Sequence, residues 1–112
     1  MAAAARPPRR GEVHLVRLDS TLGSEIRKTR PCLVVSPDKL DVHVRTVMVA
    51  PMTTGGHEYP WRVPCRFQQR AGFVVLDQLR TVDRERLVTR LGRLSPTSMA
   101  AVLERLQEMC SE

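Results

Sequence analysis

Two stretches decide the fold: Pro31-Cys32-Leu33-Val34-Val35-Ser36-Pro37 and Thr46-Val47-Met48-Val49-Ala50-Pro51. Each is a short apolar run rich in β-branched residues and bounded by proline, which predicts a core strand rather than a helix. Between them Pro37-Asp38-Lys39-Leu40-Asp41 carries turn chemistry, so the two runs can pair antiparallel through a connection of ordinary length. Upstream, Glu12 to Leu18 reads as a further strand, with Val13 and Leu15 on one face, closing at Asp19-Ser20-Thr21-Leu22-Gly23. Ser24 to Arg30 has little to bury and reads as an exposed charged loop.

Downstream, Tyr59 to Phe67 alternates as a strand, and Pro60 and Pro64 each remove a ladder donor and push it to a sheet edge. Phe73 to Leu76 is another buried run, continuing through the alternating Asp77 to Val82. Asp83 to Arg86 is a charged turn or a single helical turn, and Leu87 to Leu94 alternates loosely around Gly92, a candidate bulge. Ser95-Pro96 then has the form of an N-cap followed by proline at the first helical position. Met99, Val102, Leu103, Leu106 and Met109 follow at helical spacing, an apolar stripe most simply read as core. Several short strands, one terminal helix and no βαβ alternation predict a mainly β, α+β domain: an antiparallel sheet or small barrel with a C-terminal α-helix.

The 112 residues suffice for one domain, expected over residues 11–112, with residues 1–10 as a disordered basic tail. Lys and Arg number 18 against 12 Asp and Glu, a net charge of +6, and 16 of the cations are arginine. That excess favours a polyanionic partner, because guanidinium grips phosphate bidentately. No run approaches the roughly 18 apolar residues of a membrane span, so no membrane partner is expected. Cys32, Cys65 and Cys110 form no CxxC motif, and their odd number argues against a disulfide framework, which points to the reducing cytoplasm. His14, His43 and His57 are equally scattered, and neither a metal nor another cofactor is expected.

Three loops, Gly23 to Pro31, Pro51 to Tyr59 and Asp77 to Arg86, concentrate the chemistry. If they converge at one end of the sheet they gather Glu25, Arg30, Thr53, Thr54, His57, Gln78 and Arg80, a set suited to phosphate. Arginine can hold the oxygens of a pentavalent phosphorus, a hydroxyl can donate to them, and a carboxylate or imidazole can move protons. Each residue also has a structural reading: Glu25 as a neutraliser of Arg27 or Arg30, Thr53 as a turn residue, Asp77 and Arg80 as a surface pair, and His57 as a solvated loop residue. Trp61 could stack a base, but as the lone Trp in a strand it fits core or an interface better.

Arg10-Gly-Glu-Val13, Gly23-Ser-Glu25 with Arg30-Pro31, Val49-Ala-Pro-Met-Thr53, Tyr59-Pro60, and Asp77-Gln-Leu-Arg-Thr-Val-Asp83 with Arg86-Leu87 occur in an order and spacing that resembles the MazF/PemK toxins. These are sequence-specific endoribonucleases, or mRNA interferases, of type II toxin–antitoxin systems. The likeness covers residues 9 to 110. It implies a compact SH3-like antiparallel β-barrel with a C-terminal helix, a homodimer with single-stranded RNA across its face, and a cognate acidic antitoxin that blocks the groove. It also implies metal-independent cleavage by the ribose 2′-hydroxyl, leaving a 2′,3′-cyclic phosphate and a 5′-hydroxyl, and hence arrest of translation and growth. The catalytic pair maps to Arg30 and Thr53. A guanidinium is a poor proton acceptor, so Arg30 is the expected transition-state clamp, and the base is Glu25 or His57, with Glu25 preferred. Ser24, Arg27, Lys28, Thr54, His57, Gln78 and Arg80 are the expected substrate-binding residues. Two other classes compete: a same-fold toxin that inhibits a protein target such as DNA gyrase, and a non-catalytic nucleic-acid-binding module.

Overall fold

The computed structural model describes residues 6–18 and 28–111. The two deciding runs lie on neighbouring antiparallel strands, β2 (Thr29–Val34) and β3 (Thr46–Thr54), in the register Cys32↔Pro51, Leu33↔Ala50 and Val34↔Val49. Their connection holds a four-residue helical turn, α1 (Asp38–Asp41). Buried Ser36 ties that turn down, donating to Asp41 Oδ1 at 2.7 Å and accepting from the Met48 amide at 3.2 Å.

The other strands are β1 (Glu12–Arg17), β4 (Arg62–Phe67), β5 (Arg70–Val75), β6 (Arg80–Asp83) and β7 (Leu87–Arg93). Together they form a seven-stranded antiparallel sheet in the order β4-β5-β3-β2-β1-β7, with β6 paired to the first half of β3. Short 3-10 turns at Leu76–Gln78 and Arg84–Arg86 join β5 to β6 and β6 to β7. As expected, β4 with its Pro64 is an edge strand, and Gly92 sits where the β1–β7 register shifts.

Alternation sorts the strands onto two cores. On one face Val13, Leu33, Ala50, Met52, Val63 and Val74 pack under helix α2 (Pro96–Met109), whose Val102 is fully buried and whose Met99, Leu106 and Met109 join them. Trp61 belongs to this core. The helix starts as the sequence predicts, with the Ser95 side chain accepting from the Ser98 amide at 3.2 Å and proline following the cap. On the other face Val16, Leu18, Cys32, Val34, Val47, Val49 and Val82 form a second core with Leu87 at its rim. That β1, β7, β3 and β6 share this cluster means the sheet curls round it. It does not close into a barrel, since β4 and β7 keep free edges among the described residues.

Residues 6–10 do not form the expected loose tail. Pro8 is buried, Arg6 pairs with Glu12, and Arg10 donates from Nε to the Val35 carbonyl at 2.9 Å. Glu12 organises this corner although it is only 1% exposed. Its carboxylate lies 3.0 Å from His14 Nε2, 3.0 Å from Arg6 and 3.2 Å from Arg90 Nε, and accepts the Arg9 amide at 3.1 Å. Burial alone would raise its pKa, but His14, the Arg9 amide and Arg6 outweigh it and hold the group at about 2.

Candidate active site

Arg30 stands two residues from Cys32 on β2, and Thr53 two residues from Pro51 on β3. Cys32 and Pro51 are the last direct partners of β2 and β3, so Arg30 and Thr53 each lie two residues past the point where the two strands part, Arg30 still paired to Val16 of β1 and Thr53 to Phe73 of β5. Alternation from Cys32 and Val34, and from Val47 and Val49, puts both on the curled inner face. Proline at 31 and at 51 donates nothing to the ladder, so the recorded pairing ends there and both residues stand at the mouth of the sheet. Arg30 is exposed and Thr53 half-buried.

Arg80 shares that face from a third strand, four residues along β3 from Thr53. It opens β6 opposite Val49 and shares a face with buried Val82. The charges of Arg80 and Arg30 both act on the buried Cys32 thiol. Burial pushes the Cys32 thiol up to about 12, and both guanidiniums pull against that rise. Cys32 is therefore a protonated packing residue at neutral pH. Among the described residues neither Arg30 nor Arg80 has an ion pair, because Asp77 pairs with Arg62 at 3.5 Å and not with Arg80. Exposed Arg30 and half-buried Arg80 thus share a face with Thr53, and no carboxylate among the described residues pairs with either.

The expected cluster is thus assembled in part. Gln78 lies half-buried in the 3-10 turn that leads to Arg80. Thr54 falls on the opposite face, in step with Met48, Ala50 and Met52 of the helix-side core, because adjacent strand residues point apart. His57 is exposed in the loop between β3 and β4, and no hydrogen bond or ion pair joins it to Arg30, Thr53 or Arg80. Lys28 is exposed at the mouth of the β1–β2 hairpin with φ +70°, and its carbonyl accepts the Leu18 amide at 2.8 Å. Ser24, Glu25 and Arg27 lie outside the described residues. No group of three His, Cys, Asp or Glu among the described residues could hold a metal ion.

Sequence reasoning missed the outer part of the face. Arg62↔Val75 and Pro64↔Phe73 on β4 and β5 continue the rows of Pro51 and Thr53, so Arg62 and Phe73 share the side of Arg30. Period-2 alternation from Val63 and Val74 into the strand flanks was the signal that could have found them.

Thr53 is also fixed from behind. A Cβ on Gly72 of β5 would lie 1.8 Å from the Thr53 carbonyl oxygen, so only glycine allows this approach of β5 to β3. Gly72→Ala is expected to force the strands apart at a cost of about 3 kcal/mol, which thermal unfolding reads as a fall in midpoint of about 12 °C or more. A midpoint within about 2 °C of the native protein would contradict this packing.

A mainly β domain with arginines and a threonine on one sheet face has side chains suited to binding a phosphodiester. The chain belongs to the PemK-like, MazF-like toxin family of type II toxin–antitoxin systems, whose profile matches residues 9–110. It is similar to the endoribonuclease PemK of Escherichia coli, with 38% identity over 87% of this chain and 77% of that one. In fold it resembles the crystal structure of MazF from Deinococcus radiodurans, with a TM-score of 0.81 and 24% identity over 93% of this chain and 96% of that one. A mycobacterial endoribonuclease solved in complex with its cognate antitoxin superposes with a TM-score of 0.76, at 24% identity over 90% of this chain and 92% of that one.

Proposed function

We propose that this protein is an endoribonuclease toxin that cleaves single-stranded RNA by attack of the ribose 2′-hydroxyl on the adjacent phosphate, without a metal. The observation that carries the reading is that Arg30 and Thr53, each two residues past the last β2–β3 pair, share one face of the sheet with Arg80, and no carboxylate among the described residues neutralises either arginine.

In the reaction the 2′-oxygen forms a bond to phosphorus while the bond to the 5′-oxygen breaks, leaving a 2′,3′-cyclic phosphate and a 5′-hydroxyl. Arg30 donates to the non-bridging oxygens as negative charge grows on them, and Thr53 donates its hydroxyl to the same phosphoryl group. Arg80 holds a flanking phosphate. The 2′-hydroxyl proton goes to a base, for which Glu25 is the preferred group, with Ser24, Arg27 and Lys28 of the same loop lining the substrate. His57 would need its loop to approach the face. A cognate acidic antitoxin competes for the same arginines, and a homodimer extends the face across two copies.

The test is to incubate the purified protein with a long, mixed-sequence RNA in EDTA and map the ends. Discrete cuts with cyclic-phosphate termini are expected. Intact RNA, with bound antitoxin excluded, would overturn the reading and favour a protein target. Binding should also weaken with salt. Three phosphate contacts by arginine give a slope of about −2 in log K against log salt, roughly a tenfold to twentyfold loss between about 50 and 200 mM. An affinity independent of salt would count against arginine–phosphate binding.

A further inference from the structure

We propose that Tyr59, backed by Arg62, is a stacking platform for an unpaired RNA base beside the scissile phosphate, a subsite outside the Arg30, Thr53 and Arg80 group. The inference rests on the endoribonuclease reading and adds a substrate-binding residue to the same face.

Tyr59 is 51% exposed, one of few large apolar side chains left in solvent. One face of its ring is already occupied: the Arg62 guanidinium lies 4.8 Å from the ring centroid. Arg62 is itself held in place, with a side chain only 22% exposed and its Nε 3.5 Å from Asp77.

The backbone of the turn that carries the ring is held by its neighbours. The Arg62 amide donates to the Tyr59 carbonyl at 3.0 Å, Arg105 of α2 donates to the Pro60 carbonyl, Trp61 packs in the helix-side core, and the Leu76 amide donates to the Trp61 carbonyl at 3.0 Å. With its backbone held and one face against Arg62, the ring has less freedom to lose on binding than a side chain on a loose loop, which is what a binding surface gains from preorganisation.

Its place in the sheet fits the substrate. Arg62 pairs with Val75, and the Met52↔Val74 register sets Val75 beside Pro51. Arg62, which backs the ring, therefore lies one row from Thr53 on the same face, two strand spacings or about 10 Å from β3. A strand whose phosphate sits between Arg30 and Thr53 can lay a neighbouring base on the free face of Tyr59. Such stacking tolerates any base and is worth roughly a fivefold to hundredfold change in affinity per base.

The test uses the full chain and a short single-stranded RNA spanning a cut site found by end mapping, with 2-aminopurine placed in turn at the flanking positions. Tyr59→Ala and Tyr59→Leu are expected to raise KM about tenfold with kcat within about twofold, and Tyr59→Phe to behave as the native protein. Native protein should quench 2-aminopurine at one flanking position, and Tyr59→Leu should not. The leucine variant keeps apolar bulk in the turn, so a folding defect in Tyr59→Ala leaves the result readable. Native cleavage with an unchanged KM in Tyr59→Leu overturns the platform alone. So does a Tyr59→Leu protein that cuts normally but escapes its antitoxin, which would make the ring a protein-binding residue. Absence of cleavage by the native protein overturns the endoribonuclease reading and the platform with it.

Discussion

Arg30→Ala is expected to lower kcat for RNA cleavage by about 10²–10³, the usual loss when one preorganised donor to a developing oxyanion is removed. The side chain is exposed and has no ion pair among the described residues, so its removal leaves packing intact and the unfolding midpoint close to native. Arg30→Lys should retain part of the activity. It keeps the charge but loses the planar fork that holds two phosphoryl oxygens at once. Thr53→Ala removes a single neutral donor and should cost less, about tenfold to a hundredfold. Arg80→Ala should act chiefly on KM, because it reaches the site from β6 to hold a flanking phosphate. Single-turnover cleavage of a defined RNA separates these effects. Native kcat in Arg30→Ala would remove the arginine from the reaction and with it the catalytic reading of this face.

The second large effect concerns stability. Glu12 is buried at the junction of β1 and β7, where it takes up Arg6, Arg90, His14 and the Arg9 amide. Its pKa is lowered from 4.5 to about 2 on folding. A group depressed in this way contributes stability above its unfolded pKa and loses it as pH falls toward the folded one. The contribution is therefore complete above about pH 4.5 and disappears between there and about pH 2. With Arg6 and Arg90 partly in water, it amounts to about 2–3 kcal/mol. Glu12→Gln should lower the unfolding midpoint at pH 7 by about 10–20 °C. It should also flatten the loss of stability between about pH 4.5 and 2. Glu12→Ala, which leaves His14 and the arginines without an acceptor, should cost about 3–5 kcal/mol. Equal midpoints for native and Glu12→Gln across that pH range would show that the carboxylate is not the organising charge of the corner.

The distribution of what could be read in advance follows from the range of the interactions. Val34 and Val49 declare core strands by their local run of β-branched neighbours, Pro64 declares an edge by a missing donor, and Ser95-Pro96 declares a helix start by a cap that acts within three residues. That Arg30 and Thr53 are residue types suited to phosphate could be read from the sequence, but their position just past the last β2–β3 pair could not, because it depends on where two strands part.

The sequence by itself determined the β-rich class, the terminal helix, the antiparallel pairing of the two proline-bounded runs and the residue types able to hold phosphate. Only the tertiary structure decided that Thr54 turns away from the site, that Asp77 neutralises Arg62 and leaves Arg80 unpaired by it, that the buried Glu12 carboxylate draws in the half-exposed Arg6 and Arg90, and that Tyr59 stands on Arg62. The reason is physical. Propensity, capping and turn chemistry act between near neighbours in the chain. The side of the sheet a residue faces, and the charge it meets there, depend on register and curl between strands tens of residues apart, where one step moves every side chain to the other face.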